Sequence, residues 1–553
     1  MDRTAAIDRP LIWTLIIAAI AVHLTGLFDP IFSGDSALYA VIAKSFVTTG
    51  DWMNIYVNGT DWLDKPHFPF WLEAASMKVF GISAFAYKLP ALLLFLVGLW
   101  YTYRLAKELY NEDIALVAVL VLVTSLHLFI SNNDIRAEAM LIGLIMGGVY
   151  HFYRSTSGGS IWHVVAGAAF CAAAIMTKGP FVLIVFAAPI AVHLLYKKDH
   201  AMLFSWRWVL AGLLVTLFTL PELVCLYVQF DMHPEKVVFG QTNVSGIRYF
   251  FWETQFGRFL NTGPFRGTGS PLFFLHSLLW TFAPWAILGF VATGSWISNS
   301  IRRRYVPEML TFGGFSVMFV IFSASRFQLP YYTNILFPAL SIMCAAFVMT
   351  RLGEKSLGVF VMRASLILFL FVLAAGVGGM EYMFGQGILI PVLLTSGIVV
   401  IGLAIVHRRV KALDMTLLYT CAGVMTLFAL YCNLVFFPRL LSFESGREAA
   451  KFINAEVASR KVAASVNDHL LEFYLSTPMT RVNSTADLDR IDQGDNYLFF
   501  VDEDFKDQLD ANGVAYDTVR EFSDYPITRP ASAFLNPQTR DSVLDRRYLI
   551  SLR

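Results

Sequence analysis

The sequence predicts an α-helical polytopic membrane protein that carries a small α/β domain outside the membrane at its C-terminal end. Three observations predict this. Apolar segments of about twenty residues, each long enough to span a bilayer, recur along most of the chain. The loops between them alternate between strongly basic and mixed composition. From Arg439 onward the chain turns polar, and short β-prone runs alternate with helical ones. The wider composition agrees: 553 residues, 56% hydrophobic and 15% charged, with a mean hydropathy of +0.58, exclude an ordinary soluble enzyme. The net charge of +1 says nothing about partners, because the asymmetry lies between loops.

Hydropathy places about thirteen spans, at 11–28, 86–105, 114–131, 137–153, 161–177, 180–196, 208–228, 271–296, 308–324, 331–349, 361–379, 386–406 and 415–437. The first apolar run is long and lacks a small-residue cleavage site, so it is expected to be retained rather than removed as a signal peptide. Loops on one side carry Arg104 and Lys107, Arg154, Lys197 with Lys198 and Arg207, then Arg302 to Arg304, Arg351 to Arg363, and Arg408 to Lys411. That side is expected to be cytoplasmic, with the N-terminus. The outward side holds two long segments, 29–85 and 229–270, and the C-terminal domain 438–553 that follows the membrane domain 1–437. In that domain 447–458 and 502–512 suit helices, and 461–466, 497–501 and 547–552 suit strands. The five cysteines, Cys171, Cys225, Cys344, Cys421 and Cys432, fall in apolar runs and are expected to be core residues.

Chemistry concentrates on the outward side. Ser33 to Trp71 holds Asp35, Asp51, Asp61, Asp64, Lys65 and His67 between apolar runs. Apolar residues at 38, 39, 41, 42 and 46 fit a helix lying in the membrane interface. Asp35 opens that helix, where a carboxylate is by itself no more than an N-cap. Capping does not account for Trp62-Leu63-Asp64-Lys65-Pro66, an acid and a base fixed beside proline. Three short outward loops add Asp134 and Glu138, one turn apart and expected on one helical face; Lys178 in Thr177-Lys178-Gly179-Pro180; and Arg326 with Tyr331 and Tyr332. Singly, such cations snorkel to headgroups. Together, outward cations run against the positive-inside bias and accompany carboxylates, which fits an anionic lipid phosphate held by Lys and Arg with an acid nearby.

The 33–71 segment resembles the first outer loop of the GT-C glycosyltransferases, particularly the bacterial lipid A aminoarabinose transferases and their protein O-mannosyltransferase relatives. The resemblance rests on Asp35, Gly50-Asp51-Trp52, Asn58-Gly59, Asp64-Lys65-Pro66 and Trp71. It continues through Thr177-Lys178-Gly179-Pro180, Trp252-Glu253 to Arg258-Phe259, Pro284-Trp285, and Arg326 to Pro338. The resemblance implies a GT-C fold, a polyprenyl-phosphate (undecaprenyl-phosphate) sugar donor, and transfer to a lipid A, glycan or protein acceptor on the outer face of the inner membrane. It also implies that Asp35 lines the acceptor site and that Lys65 and Arg258 hold the donor phosphate. Arg326 and Lys178 are expected to join them. Glu138 and Asp134 stand with Asp35 as catalytic candidates, and Asp64, Trp62, Glu253, Tyr331 and Tyr332 as substrate-binding candidates. No cofactor is expected: the Glu-His that can bind a metal in aminoarabinose transferases is Glu253-Thr254-Gln255 here. Glu138 also replaces the usual Asp, and Asp64 the usual Glu.

Two other readings remain. A transporter or flippase of polyprenyl lipid would place ionisable groups near the bilayer midplane, where the main candidate is Glu222 beside Pro221. A non-catalytic lipid-binding protein would keep the phosphate site and leave Asp35 and Glu138 unused.

Overall fold

A computed structural model describes residues 7–262, 265–302, 306, 308–385, 389–410, 412–457, 460–491, 497–528 and 530–553. Of the residues singled out above, Gly263, Pro264, Arg303, Arg304, Lys411 and Ala458 lie outside the described residues, as does 386–388 at the head of one expected span.

The chain is a multi-pass helical membrane protein. Helix α1 (Arg9–Thr25) starts where Asp8 accepts from the Leu11 amide. Two further helices, α2 (Asp35–Thr49) and α3 (Phe68–Phe80), form a block of their own before α4 (Ala84–Leu109) begins. The bundle continues with α5 (Glu112–Val123), α6 (Leu126–Asn133), α7 (Ala137–Thr156), α8 (Ile161–Lys178), α9 (Val182–Lys197), the short α10 (His200–Leu203) and α11 (Trp206–Leu226). Among the described residues eight helices are long and apolar enough to cross a membrane, or nine counting α5 with α6 as one span bent by 55°. The expected thirteen are therefore not all met by length and apolarity. The bend has a local cause. Thr124 and Ser125 turn their hydroxyls back onto the Leu120 and Val121 carbonyls, 2.6 and 2.8 Å away, a habit that bends helices. The expected span 271–296 is likewise divided, into Phe273–Thr281 and Ala286–Ile301.

Helix α2 differs from a helix resting with one apolar face in the interface. Ala37, Tyr39, Ala40, Val41, Ile42, Ala43 and Phe46 are all buried, because α3, α4, the α6–α7 junction and the C-terminal domain cover it from several sides. The segment between α2 and α3 is pinned by a two-residue ladder, β1 (Tyr56–Val57) with β2 (Thr60–Asp61). Its turn is Asn58-Gly59, both at positive φ (54° and 74°), the pair of residues that adopt this conformation most readily.

The C-terminal domain is a five-stranded sheet in the order β4 (Met479–Arg481), β3 (Lys461–Ala464), β5 (Tyr497–Asp502), β7 (Asp545–Leu552) and β6 (Tyr516–Asp524). The first three are parallel and the last two pairings antiparallel. Helices Ser445–Glu456, His469–Tyr474 and Glu503–Ala511 complete it. The domain grips the α2–α3 block. Lys44 on α2 donates to the carbonyls of Glu472, Phe473 and Leu475 at 2.8–3.0 Å, the free carbonyl end of a helix. Tyr474 accepts from the Ile31 amide at 3.0 Å, and Glu444 from the Ser33 amide at 2.9 Å. These contacts fix the chain just ahead of Asp35 and along α2 beyond it.

Candidate active site

Asp35 is the first residue of α2, but Gly34 occupies the capping position and the Asp35 carboxylate makes no cap. It accepts instead from Arg136 Nη1 at 2.6 Å. Arg136 also donates its Nε to Asp134 at 3.0 Å and lies over the Tyr331 ring, 4.7 Å from its centroid. Asp134 and Glu138 do not share a helical face. Asp134 ends α6, Arg136 is extended, and Glu138 falls in the first turn of α7. The chain must break there because α6 and α7 are separate helices, and the break sends the two carboxylates to different cations. Burial pushes the Asp134 carboxyl up, and Arg136 only partly offsets this.

Glu138 is almost wholly buried and pairs with Lys178 Nζ at 2.6 Å. Lys178 ends α8, where Gly179 (φ 107°) turns the chain into α9. Its ammonium lies 4.9 Å from the Tyr332 centroid and 5.7 Å from that of Tyr331, a cation–π seat that directs it inward.

The third cluster is Asp64, Lys65 and Arg258. The Asp64 carboxylate receives Lys65 on one oxygen and Arg258 on the other. All three side chains are largely buried. Arg258 leaves the wide-turned helix Tyr249–Gly257 and is flanked by the Phe265 and Phe327 rings at 4.9 and 5.6 Å. Burial raises the Asp64 carboxyl, but the Lys65 and Arg258 charges outweigh it and leave the carboxyl below its usual range. Burial lowers the Lys65 ammonium to about 8; Asp64 opposes that shift, while Arg258 and Lys178 add to it. Arg136 and Lys178 both lie over the Tyr331 ring, and Lys178 lines one cavity with Asp64, Lys65 and Arg258, which joins the clusters into one site.

The remaining candidates fall around this centre. Trp62 packs edge-on against Tyr39 and Phe70. Glu253 reaches Arg248 at 3.7 Å, and the Arg248 side chain is exposed. Arg326 is exposed; its main chain holds Phe259 and Gly269, and among the described residues no ion pair involves its side chain. Among the described residues no three His, Cys, Asp or Glu side chains stand close enough to hold a metal ion.

Two contributors were not read as residues of this site, although Glu222 was the in-span candidate of the transporter reading. Arg136, in the loop between Asp134 and Glu138, holds both Asp35 and Asp134. Glu222, wholly buried on α11, accepts from the His67 amide at 2.9 Å and from His67 Nδ1 at 3.1 Å, while His67 Nε2 meets the Met53 carbonyl at 3.0 Å. Both ring nitrogens thus face acceptors, and the pair ties the turn after Lys65 to the bundle. The available signal was an acid inside a span, which is costly without a partner. Gln229 makes a second tie, accepting from the Ile55 amide and donating to Ile55 and Asp61 at 2.9–3.0 Å. Gln255 makes a third, accepting from the Phe181 amide at 3.1 Å.

Two cavities meet at the basic cluster. A polar one of about 20 Å³ is lined by Asp64, Lys65, Lys178, Glu222 and Arg258. An apolar one of about 520 Å³ shares Lys178, Thr254 and Arg258 with it and runs between Phe181, Phe256, Phe274 and Phe322.

Residues 64–224 match the family model described as dolichyl-phosphate-mannose-protein mannosyltransferase. The crystal structure of ArnT from Cupriavidus metallidurans bound to undecaprenyl phosphate superposes with a TM-score of 0.72 at 19% identity, covering 99% of this chain and 98% of that one. The chain has the fold of that protein. The same protein in its apo state gives a TM-score of 0.70 at 20% identity, with 98% and 97% covered. Among curated relatives, the undecaprenyl phosphate-α-4-amino-4-deoxy-L-arabinose arabinosyl transferase 1 of Pseudomonas fluorescens is 26% identical over 52% of this chain and 49% of its own length. The arabinosyl transferase 2 of Proteus mirabilis is 25% identical over 57% and 56%. An uncharacterised Aquifex aeolicus protein is 24% identical over 59% and 62%. The chain thus spans about half to two thirds of the length of these relatives.

Proposed function

We propose that this protein is a membrane glycosyltransferase that moves a sugar from a polyprenyl-phosphate donor to an envelope acceptor. The observation that carries the reading is the convergence of Lys65 and Arg258 on one carboxylate at the mouth of an apolar cavity. A charged headgroup with a long apolar tail is the ligand that such a pairing of surfaces accommodates. Undecaprenyl phosphate as the carrier is supported by the names of the aminoarabinose transferases and by the undecaprenyl phosphate bound in the ArnT crystal structure. The acceptor is lipid A, a glycan or a protein.

In this reading the phosphate takes the place of Asp64 on Lys65 and Arg258. The polar cavity of about 20 Å³ holds little more than a water, so the Asp64 carboxylate has to yield. The bond from the anomeric carbon to the phosphate oxygen breaks, and a new bond forms from that carbon to an acceptor oxygen. Lys65 and Arg258 stabilise the charge that develops on the departing phosphate. Lys178, held by Glu138 and the tyrosine pair, adds positive potential behind them. Where the acceptor is a hydroxyl, Asp35 takes its proton; the Arg136 hydrogen bond holds the carboxylate in place. A phosphate acceptor needs no base and only positioning. Arg326 and Glu253, at the exposed rim, meet the sugar or acceptor rather than the leaving group.

The basic loops support an inner-membrane orientation with the N-terminus cytoplasmic. Residues 1–437 then form the catalytic membrane unit, and 438–553 a periplasmic domain that holds α2 in place. Binding of undecaprenyl phosphate to purified protein in detergent tests the donor site. Lys65→Ala and Arg258→Ala should each weaken it roughly tenfold or more, the loss of one charge-assisted contact. Equal affinities for wild type and both variants would refute the site.

A further inference from the structure

We propose that the donor's tail continues from the apolar cavity at the basic cluster into a second groove along α9, so that the protein reads polyprenyl chain length. This rests on the donor-site reading above. The second groove, about 440 Å³, is lined by Phe186, Ile190 and Leu194 of α9 and by Trp208, Gly212 and Val215 of α11. Leu183, near the start of α9, lines both this groove and the apolar cavity beside Arg258, so the two adjoin at that residue. From Leu183 to Leu194 the helix advances ~16 Å, about the depth of one leaflet. A tail anchored by its phosphate at Lys65 and Arg258 therefore passes the first cavity and reaches the second only if it is long.

The groove is unfilled by the protein's own side chains where this matters. A Cβ placed on Gly212 would meet no atom within 4 Å, although Gly212 sits within α11 and lines the groove. Ala187 lines it from the α9 side. Small residues on facing helices leave a channel for a branched hydrocarbon chain, and each methylene buried there adds to affinity. Ordinary membrane acyl chains fit such a surface too, but they would make binding indifferent to the length of the donor's tail.

The test compares undecaprenyl phosphate with farnesyl phosphate, binding to wild type, Gly212→Phe, Ala187→Phe and the control Gly294→Phe. Gly294 also has open space around its Cβ position but lies in helix Ala286–Ile301, away from both cavities. The groove variants should weaken undecaprenyl phosphate by about tenfold or more and leave farnesyl phosphate, which ends in the first cavity, as it is in wild type. The control should change neither. Unchanged undecaprenyl binding in both groove variants would overturn the proposal and assign the groove to ordinary acyl chains. A loss falling equally on both lengths in both groove variants would overturn it as well, since no chain length would then be read. Wild type binding neither ligand would instead remove the donor site, and this inference with it.

Discussion

Lys65 makes the proposed donor site titratable in an accessible range. Its ammonium is held at about 8 by burial, with Arg258 and Lys178 lowering it further and Asp64 opposing them. A lysine of that pKa is about nine-tenths charged at pH 7 and about one-tenth charged at pH 9. If the charged form binds phosphate, affinity for undecaprenyl phosphate should fall about tenfold between those values, or ~1.4 kcal/mol. The direction follows from the cation: binding is full below about 8 and fades above it. The ligand does not confuse the reading, because a phosphate monoester has a second pKa of about 6 and is already dianionic there. Nor does Tyr249, whose phenol burial pushes well above its ordinary value. Lys65→Arg should abolish the pH dependence, since a guanidinium stays charged. Asp64→Asn should move the midpoint below about 8, because it removes the charge that raises Lys65. Titration of binding by fluorescence or calorimetry in detergent from pH 6 to 10 measures all three. A flat profile in wild type, or the same titration in Lys65→Arg, would refute the reasoning.

Three further expectations can be checked directly. Asp35→Asn should abolish sugar transfer while leaving the protein folded, because the carboxylate makes no cap and bonds across the site to Arg136; retained turnover would return Asp35 to a structural role. Glu222→Leu leaves the buried His67 ring and amide without their acceptor and should lower stability by about 3–5 kcal/mol, as breaking a buried pair does; an unchanged thermal midpoint in detergent would contradict this. A cysteine placed near Arg409 should resist an impermeant thiol reagent in intact spheroplasts while one in 530–553 reacts, and the reverse pattern would invert the proposed topology.

The membrane class was legible because it rests on composition over long windows. The Asp64-Lys65-Pro66 turn was legible because an acid, a base and a proline stand together. What escaped depended on pairing across the chain. Arg136 lies 101 residues from Asp35 and Glu222 lies 155 from His67, separations at which no local pattern survives. The shared face expected for Asp134 and Glu138 assumed one continuous helix, whereas the main chain breaks between them. Strand β6 was missed because its stretch from Tyr516 to Asp524 is mostly exposed and polar at the sheet edge, without the alternation that marks a half-buried strand. Strand β4 is only three residues long, too short to show a period. The apolar cavity could not be read at all, since its walls come from α9, the Tyr249–Gly257 helix and Leu310–Ala324, and each of these is merely apolar in sequence.

As proposed, the protein consumes a polyprenyl-phosphate sugar. Mass spectrometry of envelope lipids and glycoproteins, comparing a deletion strain with the same strain carrying wild type or Asp35→Asn, tests it most directly. Deletion should remove one glycosylated envelope product and accumulate its polyprenyl-phosphate-linked sugar, and wild type but not Asp35→Asn should restore the product. An unchanged set of lipids and glycoproteins in the deletion strain, or full restoration by Asp35→Asn, would contradict it.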